Sequence, residues 1–120
     1  VSLQQPPLHL KKCWVAAFSQ SGKSPDLIDS LRYLQQRGAA SAALVNTTDS
    51  PLAAISGHEI LLPAGLEQSV AATKSYVAML MASAQIVARQ AADNTLGQAL
   101  LSLPQQMNEA ASEDWSQVLE

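Results

Sequence analysis

At 120 residues the chain is sized for one domain at most, on a scale of about 100–200 residues per domain. A net charge of −3 and seven scattered basic residues leave no stripe for a nucleic-acid backbone; a single cysteine and two isolated histidines exclude an internal disulfide and argue against a zinc centre. Hydrophobic residues make up 48% but charged residues only 14%, where soluble domains carry about 25%; this fits surface covered by another domain or subunit, and equally an Ala- and Gln-rich chain with a neutral polar surface.

Residues 1–12 carry Pro6, Pro7 and two lysines and read as an irregular lead-in. They begin at Val1 rather than a methionine, as processing or excision from something longer would produce. No basic stretch followed by an apolar core marks a signal peptide, so a reducing, cytoplasmic setting is expected. Residues 13–18 (CWVAAF) form an apolar run without alternation, as in a strand covered on both faces of a parallel sheet. In the SQSGKSPD segment that follows, Ser24 or Asp26 can cap a helix with Pro25 in its first turn. Leu27, Ile28, Leu31 and Leu34 then recur at helical spacing as far as Arg37, and Gly38 is a fitting stop.

A second strand is predicted over residues 41–45, then a polar turn over 46–50, a short helix over 51–55 and a third strand over 58–62. A long helix is predicted from near Ser69 to about Gln90. Its core, residues 70–88, is long enough for a membrane span, but Thr73, Lys74, Ser75, Ser83 and Gln85 would be costly in lipid. A helix with so little charge is expected to be buried from several directions instead. Asp93 or Asn94 then caps a helix through Leu103, and Pro104 opens another that runs towards Trp115, a packing anchor. The alternation predicts an α/β fold, a three-layer sandwich on a parallel sheet with right-handed crossovers. Three strands fall below the usual four to six, so the domain reads as partial. The expected organisation is a lead-in at 1–12, a partial domain at 13–91 and a helical linker or tail at 92–120.

The chemistry sits in two loops. Ser19, Gln20, Ser21, Gly22, Lys23 and Ser24 lie between a strand and a helix, at the sheet edge where ligands of open α/β folds bind. Three hydroxyls and the N–H groups of a helix start can together donate to one anion. The loop holds no general base, so its role is grip; the plainer role for the same serines is helix capping. A nucleotide P-loop fails on spacing, because its first glycine would fall at Ala17. The second loop, residues 63–73, reads PAGLEQSVAAT, with Gly65 suited to a tight turn and small residues at the next helix start. Glu67 is a candidate acid or base there, or a turn and capping residue. Lys74 can meet a substrate or a carboxylate, or snorkel. His9 and His58 receive no chemical role, and Cys13 reads as a small apolar residue. No cofactor is implied.

Three motifs in combination, S-Q-S-G-x-[ST]-x-D at Ser19–Asp26, A-L-V-N at Ala43–Asn46 and A-G-x-E-x-[SG]-V-A-[AS]-T-K at Ala64–Lys74, resemble the sugar isomerase (SIS) modules of glucosamine-6-phosphate synthase and its glutamine-independent relatives. The resemblance runs from about Cys13 to Ala91, and the SVAATKS form is similar to the isomerising deaminases. It implies that Ser19, Gln20, Ser21 and Ser24 bind a phosphate and that Val70, Ala71, Ala72 and Thr73 surround the sugar, glucosamine 6-phosphate or fructose 6-phosphate. It also implies a tandem second SIS module, a homodimer, acid/base residues in that second module, and a first strand and loop upstream. The function expected on this basis is amino-sugar phosphate isomerisation with deamination. The aminotransferase isomerase module and a sugar-phosphate-sensing regulator are the alternatives.

Overall fold

The computed structural model describes residues 10–68, 72–114 and 116. The chain forms two compact units, Val1–Met79 and Leu80–Glu120, with the division falling inside one helix.

The first unit holds β1 (Trp14–Ser19), α1 (Pro25–Gln36), β2 (Ala40–Val45), α2 (Pro51–Ile55) and β3 (His58–Leu61). The strands pair in parallel in the order β1-β2-β3, as the alternation of elements predicts. Ser41 to Val45 of the central strand are all buried, so β2 has the doubly covered environment that its unbroken apolar sequence requires. Along β1 only Ala17 is buried, and β3 is exposed throughout. The expectation that the first strand is covered on both faces is therefore met only in part. Among the described residues β1 and β3 are the sheet margins, and Trp14 and Leu61 are exposed there.

The core comprises Ala17, Leu31, Ala43, Val45 and Leu52, flanked by partly buried Val15, Leu27, Ile28, Ala53 and Ile55. Leu31 and Leu52 are the anchors that α1 and α2 contribute, each worth about 1.5–3 kcal/mol of transfer free energy when fully buried. The alanines of β1 and β2 leave room for those leucines. One polar knot closes the far end of this layer. Gln35 Nε2 donates to Ser41 Oγ (2.8 Å) and to the Ile55 carbonyl (2.7 Å), and Ser41 Oγ also accepts the Gly57 N–H (3.0 Å). The buried Ser41 hydroxyl is thereby satisfied.

Two helices follow, α3 (Thr73–Gln90) and α4 (Asn94–Ser112). The predicted start of α3 at Ser69 lies outside the described residues, as do Val70 and Ala71. Only Ser75 and Ala88 of α3 are buried, whereas Tyr76, Leu80 and Val87 are exposed, so this helix is not buried from several directions within the chain. Asp93 caps α4, accepting the Leu96 N–H through Oδ1 (2.9 Å). The expected helix boundary at Pro104 is absent, because α4 runs through the proline to Ser112. A proline φ is already helical, so one missing N–H donor can be borne on an exposed helix without ending it. No helix among the described residues is long and apolar enough to cross a membrane.

Candidate functional site

The strand register places Ser19, Val45 and Leu61 side by side, so the segments that leave all three strands emerge along one line. This is the carboxyl edge of the sheet, where an α/β fold presents its ligand loops.

The loop after β1 is ordered from within. Ser19 Oγ accepts the Gly22 N–H (2.9 Å) and Ser21 Oγ accepts the Lys23 N–H (3.3 Å). A hydroxyl used as an acceptor retains its own proton for an outside acceptor. Ser24 is the N-cap of the twelve-residue α1, yet its side chain makes no capping bond. Its hydroxyl and the first-turn N–H groups of Asp26 and Leu27 follow the two loop serines in the chain, at the positive end of the helix dipole. Pro25, in the first turn, lacks the N–H that would otherwise need a partner there. The loop is a cluster of donors with one cation, Lys23, on its exposed rim. It suits an anion and nothing apolar.

Gly22 fixes this loop to the layer below. Its φ is +63°, its carbonyl accepts the Leu52 N–H (3.0 Å), and a Cβ at this position would overlap the Ser50 side chain. Ser50 is buried and caps α2 by accepting the Ala53 N–H (3.2 Å). The α2 start thus forms the floor of the anion loop.

A cleft of about 490 Å³ opens beside it. Gln20, Asn46, Thr47 and Thr48 supply a polar side, and Leu61, Pro63 and Leu66 an apolar one. Asn46, the first residue after β2, joins the two sides. Its N–H and the Thr47 hydroxyl both donate to the Gln20 carbonyl (3.2 Å each). Its side chain donates through Nδ2 to the Gly65 carbonyl (2.7 Å) and accepts the Ala64 N–H at Oδ1 (3.1 Å). The sequence alone placed Asn46 and Thr47 in a connecting turn. The signal that could have singled them out was their position, directly after the central strand.

Glu67 sits between this cleft wall and α3. Its Oε1 accepts the Ser75 N–H (2.6 Å), while Lys74 Nζ donates to the Leu66 carbonyl (2.6 Å). The Ser75 N–H, above all, holds the Glu67 carboxyl below its ordinary range; partial dehydration opposes this, and the Ser75 hydroxyl and the Lys74 charge reinforce it. Glu67 ties the 63–68 segment to the first turn of α3 through this bond, as a capping residue does. Ser19, Gln20, Ser21 and Ser24 come together in one loop, and Ala72 and Thr73 stand exposed at the start of α3. Val70 and Ala71 lie outside the described residues, as does His9; His58 is exposed on β3. Cys13, expected within the first strand as a small apolar residue, precedes β1 and is exposed. Among the described residues no three His, Cys, Asp or Glu side chains cluster as a metal site.

Comparison with known proteins adds three findings. The SIS domain family matches residues 11–89. The glutamine–fructose-6-phosphate aminotransferase (isomerizing) of Sulfolobus acidocaldarius is 40% identical over 81 residues, 68% of this chain and 14% of that protein; its namesake from Thermotoga maritima is 42% identical over 64 residues, 53% of this chain and 11% of that one. A crystal structure from Silicibacter pomeroyi DSS-3, described as a phosphosugar isomerase, superposes with a TM-score of 0.85 at 42% identity, covering 92% of this chain and 34% of its own. The chain thus spans about a seventh of the first of these relatives and a third of the solved structure.

Proposed function

Because the chain belongs to the SIS domain family, we propose that it grips the phosphate of a phosphosugar in the 19–24 loop and seats the sugar against the neighbouring cleft. The observation that carries this reading is the loop itself. Two serine hydroxyls accept from loop N–H groups and keep their protons, and a third is uncommitted at a helix start. Such an array matches the three peripheral oxygens of a phosphate ester.

Gripping the phosphate positions a sugar for chemistry carried out by other groups. The whole protein is proposed to interconvert an amino-sugar phosphate and a ketose phosphate, with proton transfer between C1 and C2 and release of ammonia. In that reaction glucosamine 6-phosphate and water give fructose 6-phosphate and ammonia, which balances without a further reactant. The Ser75 N–H on Glu67 supports a structural role for that carboxylate, so the proton-transfer residues are proposed to lie elsewhere. A second reading, the isomerase module of a glutamine-dependent aminotransferase, is favoured by the names of the curated relatives.

Incubating the full-length protein with glucosamine 6-phosphate, without glutamine, separates the two. Ammonia and fructose 6-phosphate released in equal amounts support the deaminating reading; no release, with glucosamine 6-phosphate formed from fructose 6-phosphate only when glutamine is supplied as the nitrogen donor, supports the aminotransferase. In either case Ser21→Ala removes one charge-assisted hydrogen bond and is expected to weaken phosphosugar binding about tenfold. Unchanged affinity in a calorimetric titration would remove the phosphate from this loop.

A further inference from the structure

We infer that Asn46 is a positioning residue that sets the spacing between the anion loop and the opposite wall of the cleft, so that a sugar phosphate is held better than phosphate alone. The inference rests on the phosphosugar reading above and deepens it. Asn46 faces two ways. Its backbone N–H holds the Gln20 carbonyl at 3.2 Å, on the anion-loop side. Its carboxamide pairs with the opposite wall through two bonds, Nδ2–H to the Gly65 carbonyl at 2.7 Å and Oδ1 from the Ala64 N–H at 3.1 Å.

Those two bonds fix which end of the amide is oxygen, since a backbone N–H needs an acceptor and a carbonyl a donor. No shorter side chain presents a donor and an acceptor side by side, as a peptide group does. The Gly65 carbonyl it holds belongs to a residue with φ +68°, and a Cβ there would meet nothing within 4 Å. The tight turn in the wall is therefore held by Asn46 and not by packing around Gly65. Beyond it the wall is anchored to α3 by Glu67 and Lys74.

This division of labour makes the inference testable. A substitution at position 46 keeps the backbone bond to Gln20 and loses both bonds to the wall. The phosphate end should survive and the sugar end should not. Neutral replacements are required, because a carboxylate at this position would repel an anion by charge alone.

The experiment titrates the full chain and its Asn46→Ala variant calorimetrically, once with inorganic phosphate and once with glucosamine 6-phosphate. The expected result is a phosphate affinity within about twofold of the unaltered chain and a sugar-phosphate affinity lower by about tenfold, the scale of the two hydrogen bonds to the wall that the variant lacks. Equal losses for both probes, or no loss for either, would overturn the inference. Should Asn46→Ala fail to fold, as judged by near-ultraviolet circular dichroism, Asn46→Ser keeps a polar group and is expected to give the same split. If the unaltered chain binds neither probe, the phosphosugar reading falls; if it binds both and the variants show no split, only the role of Asn46 falls.

Discussion

At the scale of single residues, the site depends on positions that shape its loops as well as on those that carry its donors. Gly22 combines a left-handed backbone with a close approach to the buried Ser50 side chain. Gly22→Ala adds a conformational penalty to a steric one and is expected to destabilise the fold by about 2–4 kcal/mol, read as a lower denaturant midpoint at unchanged slope. Glu67 gives a dependence on pH. Its pKa is depressed in the folded chain, so its stabilising bond to Ser75 is fully present above the ordinary carboxylate range. That bond is lost as the pH falls through the lowered folded value. The Ser75 amide resonance is expected to report a titration below that of a free glutamate, and Glu67→Gln to abolish it. These two residues differ in legibility. A glycine between serines announces a turn, but nothing in the string EQSVAATKS says that Glu67 bonds eight residues ahead.

At the scale of elements, the strands and the first two helices were legible because local and tertiary preferences agree. Ser24-Pro25 at the start of α1 and Gly38, with φ +97°, just past its end are both standard punctuation. Residues 51–55 form the predicted helix because Ser50 caps it and Pro51 opens it. Pro104 misled for the same reason that it is usually informative. Proline ends a helix where the lost donor must be replaced, and on the exposed α4 water can serve the orphaned carbonyl. Pro104→Ala restores that donor and is expected to stabilise α4 by about 1–3 kcal/mol, seen as slower amide exchange between Leu100 and Met107. A weaker helix or unchanged exchange would mean that α4 is limited by its ends.

At the scale of the molecule, three parallel strands in register deliver three exits to one edge, and the order of elements alone foretold that convergence. What the order could not foretell was the crosslinking among those exits, since hydrogen bonds over nineteen residues, such as Asn46 to Gly65, leave no periodic trace. The exposed stripe of Tyr76, Leu80 and Val87 shows the limit from the other side, because an apolar period states that a helix has a hidden face without stating what hides it. The seat of Gly22 on Ser50 also bears on how such chains diverge. A lineage shifting its ligand preference is free to vary Gln20 or Lys23 one at a time. Position 22 cannot gain a side chain while Ser50 keeps its own, so descendants that reshape this corner must change position 50 first or together with position 22.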